Sequence, residues 1–371
     1  GGSGGGVPPP PPPPLEPPVF TTPTAVRVTR PTPFSAACLP VPAGATAYAN
    51  AEVESHLAIN PSNPNHLVAA WQQDRLSDGG ARGLATAVSV DGGATWSTPQ
   101  ASPFTQCAGG VYARASDPWV AVSGTAVLQI GIAFSGAALA VGARSAVLVS
   151  RSTDGGATWG PAVALVDDDG NRFFNDKESL TIDSTDPRYV YAVWDRLDSS
   201  EHGVTLLARS TDGGASWSPA LPIYDPGAGR QTIGNVAVTT PEGVVHVFFT
   251  ELGPAAGNPA VIEGNLAVVR STDRGVTWSA PTRIAQLLAV GTRVPSQTSI
   301  VVRAGEVLGA FAASPVDGTL YAAWQDSRFA SGARDAIVLA RSTDGGSTWN
   351  APVTVNANTA VPAFTPTLAV L

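Results

Sequence analysis

The eight-residue stretch Ser152–Trp159, Ser-Thr-Asp-Gly-Gly-Ala-Thr-Trp, recurs in near-copy at Ser89–Trp96, Ser210–Trp217, Ser271–Trp278 and Ser342–Trp349. No other feature constrains the chain as tightly. A motif repeated at a near-constant period means supersecondary units that each bury an apolar face only against a neighbour. The shared aspartates, Asp91, Asp154, Asp212, Asp273 and Asp344, are 63, 58, 61 and 71 positions apart. A unit of that length holds four short strands and their turns. Each copy follows a strand-like run such as Ala146–Val149 or Ala336–Leu339. Within the motif, Asp is placed to accept hydrogen bonds from backbone N–H groups one to three residues ahead. Gly supplies the positive φ of a hairpin turn, and Trp buries a large ring against a neighbouring element. Such a turn is complete without a ligand.

The pattern Ser-x-Asp-x-Gly-x-Thr/Ser-Trp resembles the Asp-box, or BNR repeat, of the sialidase-like β-propellers, and the resemblance spans residues 51–371. It implies an all-β fold: a six-bladed propeller of four-stranded antiparallel blades. The units open near Ser55, Arg114, Asn175, Gln231 and Ser296, and Trp71–Arg75, Trp194–Arg196 and Trp324–Arg328 each close a second strand. The tail Ala363–Leu371 repeats the start of a unit and stops, so the last blade is expected to be incomplete, with strand edges left open.

Composition agrees with an all-β chain, with 39 Gly and 33 Pro in 371 residues and no long helical pattern. Charged residues are only 13% and the net charge is −8, which excludes a nucleic-acid partner, because no basic stripe could neutralise phosphates. No apolar run is long enough to span a membrane. Met is absent even at position 1, which reads as a processed product or a fragment. Lys177 is the only lysine, a bias that a GC-rich genome would produce.

Residues 1–18 read as a linker. Gly-Gly-Ser-Gly-Gly-Gly is flexible, and Pro8–Pro14 should form a polyproline II rod of about 20 Å. A flexible-then-stiff lead-in suits a tether, with a lipid anchor upstream of residue 1. Residues 19–50 form a lead-in with one strand candidate, Ala25–Thr29. In an exported Asp-box propeller, Cys38 and Cys107, the only cysteines, read as one disulfide pinning the lead-in onto the propeller, worth roughly 4 kcal/mol. Two unpaired buried thiols are the alternative. The expected setting is secreted or cell-surface, and the expected state a monomer.

Topology places the chemistry. In a four-stranded up-and-down blade the first strand starts and the second strand ends on one face, while the turn between strands three and four lies on the other. The repeated motif occupies that last turn, so its five aspartates are scaffold. Aligning the first strands on Leu57, Val120, Leu180, Val236, Ile300 and Leu368 puts Glu54, Asp117, Lys177, Ile233, Gln297 and Thr365 at one rim position. Glu52, Arg114, Asp176 and Glu178 add charge nearby. Second-strand ends contribute Asp74, Arg75, Asp195, Arg196, Glu251, Asp326 and Arg328.

Such clustering in a charge-poor chain points to a glycosidase pocket. Asp117, Glu54, Glu178 and Asp176 are the candidate acids, bases or nucleophiles, and Arg114, Arg75, Lys177, Arg196 and Arg328 would hold the substrate. The competing reading is a ring of salt bridges, with Lys177 paired to Asp117 or Glu178. The resemblance implies three arginines on a substrate carboxylate, an Asp acid/base and a Tyr nucleophile assisted by a Glu. The first arginine is expected in an Arg-Ile-Pro motif where this chain reads Ala51–His56, so no residue carries over there. Tyr112, Tyr191, Tyr224 and Tyr321 are available, the second and fourth at mid-strand.

No cofactor is implied. Asp167–Asn171 resembles part of a calcium loop but lacks the bidentate Glu, and His56, His66, His202 and His246 are too scattered for a metal site. The leading function is an exported sialidase-like glycoside hydrolase acting on glycans, some of them sialylated. The alternatives are a non-catalytic propeller binding glycan or glycoprotein at the cell surface, and a scaffold propeller.

Overall fold

The computed structural model describes residues 24–370, apart from 36, 39, 40, 256 and 295. The linker reading of residues 1–18 lies outside the described residues. The chain is built from antiparallel blades in which sequence neighbours pair.

The first blade comprises β1 (Glu52–Asn60), β2 (Asn63–Arg75), β3 (Ala81–Ser89) and β4 (Gln100–Ala101). The second comprises β5 (Arg114–Ser123), β6 (Ala126–Ser135), β7 (Arg144–Ser152) and β8 (Val163–Asp169). The third has β9 (Phe173–Ile182), β10 (Val190–Asp198), β11 (Gly203–Ser210) and β12 (Leu221–Tyr224). The fourth has β13 (Gln231–Thr239), β14 (Val245–Ala255), β15 (Asn258–Ser271) and β16 (Thr282–Gln286). A hairpin, β17 (Thr292–Val294) with β18 (Gln297–Val302), intervenes. The fifth blade follows as β19 (Ala310–Ala313), β20 (Leu320–Asp326), β21 (Ala336–Ser342) and β22 (Val353–Thr354). Among the described residues no helix is long and apolar enough to cross a membrane.

Middle strands such as β6 and β14 are apolar on both faces because each blade is covered on both sides. Leu128, Ile130 and Val149 of the second blade pack on Leu180, Trp194 and Leu206 of the third. Tyr191 and Val193 then meet Val247 and Phe249 of the fourth, and Phe248 and Leu266 meet Phe311 and Trp324 of the fifth. At the first blade the cover stops: Leu57 and Ile59 are 50% and 51% exposed, where the equivalent Val120 and Leu180 are 1% and 2%.

Three details differ from the sequence reading. The run Gln297–Val302, rich in β-branched residues, pairs with β17 as a hairpin, and the fifth blade opens instead at Ala310, whose neighbours Phe311–Ala313 complete the pairing with β20. The tail beyond β22 forms no strand among its described residues. Ala25–Thr29 also forms no strand; Val28 packs on the first blade by side-chain contact instead. The lead-in is fastened by a Cys38–Cys107 disulfide, by Thr32 Oγ1 donating to Asp74 at 2.8 Å, and by Phe34, which is 5% exposed.

All five repeated turns lie between the third and fourth strands. In Ser152–Trp159, Ser152 Oγ donates to Asp154 Oδ1 at 2.7 Å and accepts from Gly156 N at 2.9 Å. Asp154 accepts from Thr158 N at 2.9 Å and from the Thr158 hydroxyl at 2.6 Å. The N–H that Asp captures thus lies four residues ahead, further than the sequence reading placed it. In the fourth copy Arg274 stands where the others have Gly and holds φ at 58°. Its guanidinium caps the Tyr189 ring at 4.2 Å and meets Asp186 at 3.2 Å.

Candidate functional site

On the opposite face, each of the first four inner strands carries a bulge at its start. Pairing skips from Val53/Gln72 to His56/Ala70, from Ser116/Ile132 to Trp119/Ile130, from Asp176/Asp195 to Ser179/Val193, and from Ile233/Thr250 to Val236/Phe248. The first extra residue in each case is left-handed: Glu54 (φ 53°), Asp117 (53°), Lys177 (47°) and Gly234 (70°). Three side chains thus adopt a strained left-handed conformation at equivalent positions, where Gly would sit without strain. The fourth-blade equivalent is therefore Gly234, one residue beyond Ile233; the apolar pattern aligned Val236 where the bulge aligns Ala237. Thr365 is also left-handed (φ 56°).

These bulges aim Glu54, Asp117 and Lys177 into a pocket of about 1050 Å³, lined also by Arg75, Arg114, Asp176, Ile233 and Thr365. Gln297 does not line it. Arg196 and Arg328 do not line it either: Arg196 pairs with Asp168 and lies 3.7 Å from the Phe173 ring centroid, and Arg328 pairs with Asp326 at 2.8 Å. Asp167 and Asp168, the start of the calcium-like run, are taken up by Arg144 and Arg196. Among the described residues no cluster of His, Cys, Asp or Glu is arranged to hold a metal ion.

A network ties three blades together around the acids. Arg75 donates to Gln72 Oε1 at 3.0 Å. The fully buried Gln72 amide donates to Glu54 and, at 2.7 Å, to Ser116 Oγ. Ser116 bonds Asp117 Oδ1, and Lys177 Nζ bonds Asp117 Oδ2. Lys177 is thus paired with Asp117 rather than Glu178. Gln72 and Ser116 were not singled out in the sequence, although Gln72 lies inside the Trp-Gln-Gln-Asp-Arg repeat and Ser116 directly precedes Asp117.

The carboxyls part ways accordingly. Burial pushes Glu54 up to about 7, reinforced by the negative charge of Asp117 and a hydrogen bond with it, against the pull of Lys177 and Arg75. Asp117 is the anion of the pair: burial raises it, but Lys177 and hydrogen bonds from its neighbours outweigh that and hold it below the ordinary range. Asp176 is raised to about 6 by burial and by Asp117. Glu178 and Asp195 sit well above the ordinary range, chiefly through burial. Glu178 is only 4% exposed, both its oxygens are unpartnered, and it does not line the pocket.

No tyrosine lines the pocket. Tyr191 is buried against Asp183 at 3.3 Å, and Tyr224 donates to Glu251 at 2.7 Å between the third and fourth blades. Glu251 is further bound by Arg230 and Arg283.

Residues 190–351 match the BNR repeat-like domain family. A xyloglucanase of Acetivibrio thermocellus is 35% identical over 147 residues, 36% of this chain but only 16% of that protein. Among solved structures, the GH93 α-L-arabinofuranosidase of Fusarium graminearum with arabinobiose superposes at a TM-score of 0.55, with 14% identity, covering 86% of this chain and 84% of that one. The α-L-arabinanase of Penicillium chrysogenum gives 0.53 at 13% identity over 80% of each. The Trypanosoma rangeli sialidase with the inhibitor DANA gives 0.51 at 14% identity over 79% of this chain and 47% of that one. The fold shared with these structures is the β-propeller. Residues 190–351 carry the BNR repeat-like domain, and each of the five Asp-box turns closes a four-stranded blade.

Proposed function

We propose that this propeller is an exported glycoside hydrolase whose centre is the pocket at the bulged ends of the first three blades. One observation carries the reading: two pocket carboxyls, Glu54 and Asp176, escape a close salt bridge while a third, Asp117, is consumed by Lys177. The nearest cation to Glu54 is Arg303 at 4.0 Å, and Asp176 accepts only the Lys177 N–H at 3.0 Å among the described contacts. Glycosidic cleavage needs one carboxyl that still carries its proton and another that has lost it. Glu54, at about 7, is still about half protonated at neutral pH and in that form can give its proton to the leaving oxygen. Asp176, at about 6, is then mostly ionised and supplies the second carboxylate.

Burial and the adjacent Asp117 charge keep the proton on Glu54, against the pull of Lys177, which places one positive charge beside Asp176. Gln72 holds one Glu54 oxygen, which leaves the other, Oε1, facing Arg303. The Cys38–Cys107 disulfide supports export, since such bonds persist in oxidising compartments.

The test is hydrolysis of a panel of fluorogenic glycosides by the whole chain and by Glu54→Gln. Turnover that disappears with Glu54→Gln is expected. Absence of turnover on every glycoside, with sugar binding retained, would replace the hydrolase by a glycan-binding propeller.

A further inference from the structure

The charge arrangement around the pocket narrows the class of sugar. Four cations line it, and each already faces an acid or a carbonyl of the protein. Arg114 forms a two-pronged bond to Asp78, at 2.9 and 3.0 Å, and donates to Gly79 O at 2.8 Å. Lys177 holds Asp117. Arg75 spends Nη1 on Gln72 and on Gly80 O at 3.2 Å. Arg303 is 76% exposed and faces Glu54. An incoming carboxylate could reach Arg114 or Lys177 only by displacing Asp78 or Asp117; the exposed Arg303 is the cation left open to it, and there it would meet Asp176 and Glu306 on the same walls. Like charges brought together in this way cost more than a solvated arginine returns.

The remaining wall is apolar and aromatic. Phe134 and Phe174, both half-buried, line the pocket beside Ile132. Gly80 lets the first ring lie across the β2–β3 turn: a Cβ there would stand 2.6 Å from Phe134 Cζ. A ring face of that kind is matched by the C–H face of a sugar, while the acids serve its hydroxyls.

We infer that the pocket takes an uncharged glycan, its sugar ring laid against Phe134 and Phe174, and that it discriminates against sialylated or uronic sugars. The inference rests on the hydrolase reading only for the location of the site, because binding tests it without turnover.

The experiment is calorimetric titration of the whole chain with neutral oligosaccharides of pentoses and hexoses, and in parallel with sialyllactose and glucuronic-acid oligosaccharides, alongside turnover of the matching fluorogenic glycosides. Binding of a neutral sugar, weakened about tenfold by Phe174→Ala, is expected. Asp78→Asn removes the acid that holds Arg114 on the pocket wall and should tighten any acidic sugar by about fivefold relative to a neutral one. Binding or cleavage of an acidic sugar in preference to every neutral one overturns the inference and leaves the hydrolase standing. Neutral binding without turnover does the reverse. No binding of any neutral sugar also overturns it.

Discussion

The two faces of this propeller use the same functional group to opposite ends. On the Asp-box face, Asp91, Asp154, Asp212 and Asp344 are held down at about 2 by donated hydrogen bonds from the Thr or Ser four residues on and from the motif's own Ser. They stand in open solvent, so nothing opposes ionisation. On the pocket face, Glu54 and Asp176 are pushed up to about 7 and about 6, because burial and the neighbouring Asp117 charge outweigh what Lys177 offers. A carboxylate saturated with donors stays ionised, whereas a buried carboxyl short of donors holds its proton to higher pH. The backbone repeats the contrast. Asp-box turns mostly use Gly for left-handed φ, whereas the pocket bulges force Glu54, Asp117 and Lys177 into it.

The largest expected effect is on turnover. Glu54→Gln should lower kcat/KM by about 10²–10⁴-fold without lowering the melting temperature, as general-acid loss does. Asp154→Asn should do the opposite, lowering the melting temperature and sparing kcat/KM. If both variants lose activity alike, the division of labour between faces is broken.

A smaller effect sharpens the scaffold side. Ser152 is 2% exposed and serves Asp154 and Gly156 at once. Ser152→Ala leaves the Gly156 N–H without a partner and should cost about 1–3 kcal/mol in denaturant unfolding, with turnover unaffected. Unchanged stability would show that the motif's hydrogen bonds are replaced by water.

The faces should also respond to pH with opposite signs. The folded pKa of Glu54 lies above its ordinary 4.5, so its stabilising contribution is complete below pH 4.5 and is lost as pH rises through about 7. The folded pKa of Asp154 lies below its ordinary 3.8, so its contribution is present above pH 3.8 and is lost as pH falls through about 2. Melting curves should therefore show Glu54→Gln more stable than wild type at pH 8 and equal to it at pH 4. Asp154→Asn should be less stable than wild type at pH 7, the gap closing below pH 2. Solvent screening keeps the second gap small.

The blade register and the side on which the pocket lies were legible because they follow from a turn whose residues are chosen locally. The rim position was legible in three blades, since Leu57, Val120 and Leu180 each follow the bulge residue by three. It slipped in the fourth, where Val236 and Ala237 compete as the apolar marker and only strand pairing shows that the bulge residue is Gly234. It failed in the fifth, where Gln297–Val302 has strand chemistry but a hairpin partner. Whether Arg196 or Arg328 reaches the axis depends on side-chain partners, Asp168 and Asp326, that spacing does not reveal. The same holds for Lys177, whose choice of Asp117 over Glu178 depends on which bulge residue faces the pocket.

The central claim is that Glu54 holds its proton up to near neutral pH while the Asp-box acids do not. Difference infrared titration of wild type against Glu54→Gln, following the protonated carboxyl band, reads this without a substrate. The account predicts a band lost with a midpoint near 7. A midpoint at the ordinary carboxyl value of 4.5 would contradict it and remove the proton donor from the pocket.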